Sequence, residues 1–296
     1  MKTEGRFYSE IAGPTPAGNG KYSPELRKCI EDTGKLCMEN LNSEMYSPIM
    51  LLGSIQSGKT RAFIGLMGLC FDNDFDMTII LTKCSKALVQ QTVNRMTSEF
   101  SAFRQEHSTV GDVVAQDILD IDFTGINDIS EKQIAVKRFL KRYKGKKRII
   151  IVKKQADNVD RMDMFIEQLV SQKNYKRILI VDDEADVTSV GYETDKESKE
   201  LTLRRISGGI NTARRRLHSN IEHVMLQVTA TPYALYLQPD AFSSDDIMPV
   251  KPRCTVVMPI GKGYIGGQYY FIDSQDTGQI IMLRHVICRI LLNRMK

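Results

Sequence analysis

Three short runs of this chain bring together residue types that can do phosphate chemistry. The first is Gly53-Ser54-Ile55-Gln56-Ser57-Gly58-Lys59-Thr60, a GxxxxGK(S/T) pattern set between the apolar run at 49–52 and a helical stretch. Glycines let such a loop curl until successive backbone N–H groups face one phosphate, and a helix starting near Lys59 adds the positive end of its dipole. Gly53, Ser57, Gly58, Lys59 and Thr60 are therefore expected to bind a nucleoside triphosphate. Lys59 would reach the β and γ phosphates, and the Thr60 hydroxyl would hold Mg²⁺.

The second run follows the apolar stretch at 178–181 and reads Asp182-Asp183-Glu184-Ala185-Asp186. An apolar strand that delivers carboxylates to the mouth of a sheet suits Mg²⁺, which takes oxygen ligands and keeps several waters. Asp183 is expected to be the metal carboxylate, with Asp182 the alternative if the register is shifted by one. Glu184 is expected to polarise the attacking water, since a general base must lie within a hydrogen bond of it. Lys59 and Glu184 are thus the candidate catalytic pair.

The third run is Thr229-Ala230-Thr231-Pro232, at the end of the apolar stretch at 224–228. Two hydroxyls flanking a small residue, with a proline that stops the strand, suit an element that hydrogen-bonds a neighbouring acidic loop.

These runs need a scaffold that brings their ends together. Apolar stretches at 49–52, 77–81, 148–152, 178–181 and 224–228 are too uniformly hydrophobic for half-exposed strands. Helix-like stretches near 59–71, 85–97, 130–142, 157–172 and 199–217 alternate with them, and a further helix is expected over 25–41. The alternation predicts an α/β fold with a parallel central sheet and helices on both faces. Ligands bind such sheets at the carboxyl ends of the strands, where all three runs fall.

Composition constrains less. The 296 residues are 42% hydrophobic and 26% charged, as in ordinary globular domains, and the net charge of +5 is only mildly suited to a polyanionic partner. Six cysteines form no CxxC pair, and His107, His218, His223 and His285 are too scattered for a zinc finger. They are expected to be buried free thiols in a reduced, cytoplasmic setting. No stretch approaches the length needed to cross a bilayer, so no membrane partner is expected. Basic residues crowd 196–216 and 141–148, and both are read as solvated surface before nucleic-acid contacts. Glu197-Ser198-Lys199 is not counted as half of a nuclease site, because no aspartate stands upstream in a suitable context.

In their order, the phosphate loop, the Asp183-Glu184-Ala185-Asp186 tetrapeptide and the Thr-Ala-Thr run resemble the superfamily 2 helicase-type ATPases of the DEAD/DEAH kind. The tetrapeptide match favours Asp183 over Asp182. The resemblance spans roughly residues 45–236 and implies a RecA-like P-loop NTPase lobe that binds ATP and Mg²⁺. It also implies that Asp186 pairs with Thr229 or Thr231 to couple the sites. The run 79–83, followed by 88–91, looks like the family's motif Ia, which implies that Thr82 and Lys83 face the phosphates of a bound strand, DNA in preference to RNA. A narrower set is similar to the bacterial and archaeal family named for the Z-one domain, whose members are ATP-dependent endonuclease- or defence-associated. That set comprises 53–60, Lys153-Lys154, 182–186, and 229–234 with 264–267.

The family's second lobe carries arginines in a QxxGRxxR motif, and none occurs here. Slow hydrolysis by this chain alone is therefore expected, with a second RecA-like lobe in cis or trans as partner and the chain itself a fragment. The adenine-recognition glutamine motif is not recognisable. The expected organisation is a flexible arm at 1–25, the motor lobe at 26–236 and an appendage at 237–296. A non-motor, ATP-dependent switch is the alternative function.

Overall fold

The computed structural model describes residues 1–13, 21–41, 47–55, 57–83, 85–105, 113–117, 129–142, 147–173, 175–187, 189–194, 201–238 and 250–261. Cys84, Cys288, Glu197 to Lys199 and the stretch after 261 lie outside them. The chain divides into two units, Met1–Gly53 with Gly58–Pro259, and Ser54–Ser57 with Ile260–Lys296.

In the first unit, the apolar stretches form a seven-stranded sheet. Its strands are β1 (Ile49–Leu52), β2 (Met77–Thr82), β3 (Val113–Asp117), β4 (Lys147–Lys153), β5 (Arg177–Asp183), β8 (Glu222–Thr229) and β9 (Cys254–Val257), in the spatial order β3-β4-β2-β5-β8-β1-β9. Every pairing within it is parallel. A two-stranded antiparallel ribbon, β6 (Tyr192–Thr194) and β7 (Leu201–Leu203), stands apart from it. Parallel strands need crossover helices, which cover both faces and explain why the central strands are apolar on alternate and intervening residues alike.

One face is covered by α1 (Arg6–Ala12), α2 (Pro24–Asn40), α3 (Lys59–Asp72), α4 (Lys86–Glu99) and α5 (Ser101–Gln105), around Ile80, Ile151, Leu179, Val181 and Leu226. The other is covered by α6 (Ile129–Arg142), α7 (Ala156–Ser171) and α8 (Arg205–His218), around Ile79, Ile150, Ile180 and Met225. A short helix, α9 (Tyr233–Tyr236), follows β8. In β2, β4, β5 and β8, neighbouring residues go to opposite cores, the period of two expected of strands. This parallel sheet, with crossover helices on both faces and a GKT loop between β1 and α3, is an α/β P-loop NTPase fold of the RecA-like type.

Several elements depart from expectation. The arm expected at 1–25 contains α1, whose Phe7, Tyr8, Ile11 and Ala12 are buried. Phe7 packs on Phe71 and Phe103, and the Asp72 carboxylate at the end of α3 accepts from the N–H groups of Phe7 and Tyr8 at 3.1 and 2.7 Å. A Cβ on Gly5 would stand 2.1 Å from that carboxyl group, so the approach requires glycine there. The stretch expected to be an appendage supplies β9, paired with β1. The basic run ending at Arg148 is no surface loop there. Arg148 is buried, donates to the Leu140 carbonyl at 2.8 Å and lies over the Tyr175 ring. Cys29, Cys37 and Cys70 are buried free thiols, and Cys254 is half-buried. No helix among the described residues is long and apolar enough to cross a membrane.

Candidate functional site

The three chemical runs lie at the carboxyl ends of β1, β5 and β8, and β8 is hydrogen-bonded between the other two. Backbones two strands apart stand about 10 Å from each other, a gap on the scale of a metal-bound phosphate chain.

At the end of β1, the Gly53 N–H donates to the Thr229 carbonyl at 3.1 Å, so the start of the phosphate loop is tied to the Thr-Ala-Thr run. Gly58 caps α3 with φ 89°, in the left-handed region, although a Cβ there would meet nothing within 4 Å. Glycine is thus required at 58 by backbone conformation rather than by space. Lys59 opens α3, is 9% exposed, and its Nζ donates to the Gly53 carbonyl at 3.4 Å across the mouth of the loop. Thr60 follows in the first helical turn, half-buried. Ser57 belongs to the second unit, where its N–H donates to the Ser54 carbonyl at 3.1 Å.

At the end of β5, alternation separates the two aspartates. Leu179 and Val181 pack with α3, while Ile178 and Ile180 pack with α7 and α8. Asp183 continues the first set and Asp182 the second. Asp182 is fully buried, with Oδ1 accepting from Lys154 Nζ at 2.9 Å and from Ser189 Oγ at 2.8 Å. Asp183 is half-buried on the face that α3 covers. Burial, then the Glu184 charge, push the Asp183 pKa up to about 6. Asp182 adds to the rise, and the Lys154 and Lys59 ammonium groups oppose it. A divalent cation against this carboxylate would favour its charged form.

Glu184 has φ 54°, left-handed and strained for a residue with a side chain. Its Oε2 lies 3.5 Å from Lys83 Nζ. Lys83, expected to face strand phosphates, is therefore held beside Glu184, and its charge also reaches Asp186. Thr82 is buried at the end of β2, with Lys153 its partner in register. Asp186 receives both threonines, Thr229 Oγ1 on Oδ1 and Thr231 Oγ1 on Oδ2, each at 2.6 Å. The Thr231 N–H in turn donates to Thr229 Oγ1 at 3.0 Å. Partial burial raises the Asp186 pKa, but the hydrogen bonds from Thr229 and Thr231 outweigh it, and the net shift is downward.

A hydroxyl at Thr60 and a carboxylate at Asp183 form a hard-oxygen donor set of the kind Mg²⁺ takes, with phosphate oxygens and water completing its shell. Among the described residues no group of three His, Cys, Asp or Glu could hold a metal ion.

Lys154 enters the sequence reading only within the Lys153-Lys154 strand end of the Z-one-like set and follows the last residue of β4. Its placement was legible in part: of two lysines after a five-residue apolar strand, the period of two sends one to each face. Of the basic segment 196–216, three arginines within the described residues are engaged or buried in the fold. Arg205 pairs with Asp160 at 2.9 Å, and Arg216 pairs with Asp163 at 3.0 Å and Glu167 at 3.6 Å, all on α7. Arg214 is fully buried, and burial brings its pKa down to about 10, partly offset by Asp182.

No family model matches the chain, and no curated protein matches it. Solved structures similar to it include the DUF1998 helicase MrfA bound to DNA, at 15% identity and a TM-score of 0.45, over 87% of this chain and 30% of that one. The Pyrococcus furiosus Hef helicase domain is 15% identical with a TM-score of 0.39, over 77% of this chain and 36% of that one. RecG bound to a three-way DNA junction is 16% identical with a TM-score of 0.39, over 81% and 25%. The chain spans between a quarter and little more than a third of each of these three, and likenesses this distant transfer no activity. The fold assignment rests on the strand order and the loop.

Proposed function

We propose that this chain is the ATP-binding lobe of a nucleic-acid-dependent, helicase-like ATPase. It would hydrolyse ATP with Mg²⁺ in a two-lobed motor acting on DNA in preference to RNA, in a restriction or defence setting. The observation that supports the reading is that Lys59 and Asp183 belong to runs at the carboxyl ends of β1 and β5, two strands of one parallel sheet with β8 between them. Gly53, Gly58, Lys59 and Thr60, with Ser57, would bind the phosphates. Thr60 and Asp183 would hold Mg²⁺, which supplies charge stabilisation to the phosphate oxygens. Glu184 would orient and polarise the attacking water. Asp186, tied to both Thr229 and Thr231, would pass movement of the acidic turn into β8 and onward to α9. Hydrolysis by this lobe alone would be slow, because the charge developing on the transferred phosphoryl group calls for arginines from a second lobe. Thr82 and Lys83 would contact the nucleic acid.

Lys59→Ala should weaken ATP binding about tenfold or more, a loss of about 1.4 kcal/mol or more. Glu184→Gln should retain ATP and lose hydrolysis by about two orders of magnitude. Fluorescent-nucleotide titration and phosphate release measure the two. Unchanged nucleotide affinity in the Lys59 variant sinks the assignment.

A second reading, a non-motor ATP-dependent switch, draws on Lys83 being engaged by Glu184 and on Arg205 and Arg216 of α8 being engaged by α7. ATP hydrolysis that does not change when DNA or RNA is added would favour it.

A further inference from the structure

Lys154 is a charged residue whose side chain has no exposed surface, and its ammonium has four acceptors within 3.0 Å. They are Asp182 Oδ1 at 2.9 Å, the carbonyls of Asp183 and Glu184 each at 2.8 Å, and Ser189 Oγ at 3.0 Å. Ser189 gives its own proton to Asp182, so towards Lys154 it offers a lone pair. One of these contacts is enough to neutralise Asp182. The two bonds to backbone carbonyls do something different, because they grip consecutive peptide units of the acidic turn itself.

Glu184 sits in that grip at φ 54°. A left-handed conformation at a non-glycine residue persists only where the surroundings over-determine it. The turn is further closed by the Ala185 N–H on the Val228 carbonyl at 3.1 Å and the Val187 N–H on the Glu184 carbonyl at 3.0 Å. Lys154 approaches from the α7 and α8 face, while Asp183 stands on the opposite, phosphate-loop face. We infer that Lys154 is a positioning residue, whose bonds to the Asp183 and Glu184 carbonyls hold the turn that sets the Glu184 carboxylate beyond Asp183, itself kept in place by the pairing of β5 with β8. The inference rests on the ATPase reading above and extends it to the group that sets the geometry of its acidic half.

A purely structural role makes a different prediction. If Lys154 served only to neutralise Asp182, removing both charges would restore the protein completely. Lys154→Met alone should lower the melting temperature, since it strands a buried carboxylate. Lys154→Met combined with Asp182→Asn should recover most of that loss. In the double variant of the full chain, the amides of Ala185 and Val187 should exchange with deuterium about tenfold faster than in the wild type. KM for Mg·ATP should stay within about twofold, showing an intact metal and phosphate site, while kcat falls about tenfold or more, as expected when a reacting group is displaced by a fraction of an ångström. Wild-type exchange at those two amides, or wild-type kcat, in the melting-restored double variant overturns the inference, as does a KM that rises with kcat unchanged. The exchange arm needs no turnover. If Lys59→Ala leaves ATP affinity untouched, the ATPase reading fails while the exchange result still decides whether Lys154 holds the turn.

Discussion

His223 shows how one buried side chain can set the acid limit of this protein. It is 8% exposed, and burial, followed by the charge of Arg214, brings its pKa down to about 3. The unfolded chain takes up the proton near pH 6.5, so the neutral histidine contributes stability above that value. That contribution is lost as pH falls from about 6.5 towards 3, and its full extent is on the order of a few kcal/mol. His223→Gln should therefore flatten the decline in stability between pH 6.5 and 4, read as urea midpoints across that range. An equally steep decline in the variant would place the acid sensitivity elsewhere. Residue-level chemistry also separates the neighbours Asp182 and Asp183, which read alike in sequence. One is the partner of a buried lysine and the other faces the phosphate loop, because successive side chains of a strand point to opposite faces.

At the scale of elements, α1 depends on a neighbour for its start. Its N-terminal N–H groups are capped by Asp72, the last residue of α3, so the helix is completed by docking rather than by its own sequence. Asp72→Ala should cost about 1 to 2 kcal/mol and loosen α1, seen as a lower melting temperature with faster proteolysis around residues 6–12. Unchanged protection there would show that the aromatic packing of Phe7 alone holds the helix. The failure to foresee α1 has a simple cause. Seven residues carry too little periodicity to stand out, and the cap lies 65 positions away. The same holds for β9, whose Cys-Thr-Val-Val is too short to announce itself and is placed by pairing with β1. By contrast, α3, α7, β2, β4 and β5 were legible, because long apolar runs and clear helical spacing leave few alternatives.

For the whole molecule, a ligand held between strand ends two apart should stabilise the sheet that frames it. On the reading proposed here, Mg·ATP at a hundredfold excess over its Kd adds about 2.7 kcal/mol and raises the melting temperature by several degrees. The rise should vanish in Lys59→Ala and shrink when Mg²⁺ is withheld, both measurable by thermal denaturation. A rise of equal size without Mg²⁺ would argue against Thr60 and Asp183 as metal ligands.

The linear order of residues was sufficient for the class of fold and for the three chemical runs, because both are local: strand and helix periodicities repeat within a few positions, and a phosphate loop is eight consecutive residues. The tertiary structure decided what each charged side chain faces. It placed Lys154 under the acidic turn, Lys83 beside Glu184, Arg205 and Arg216 against α7, and both threonines on Asp186. A carboxylate and its partner stand dozens of positions apart along the chain, and only the sheet's strand order and the alternation of its faces determine which charges meet.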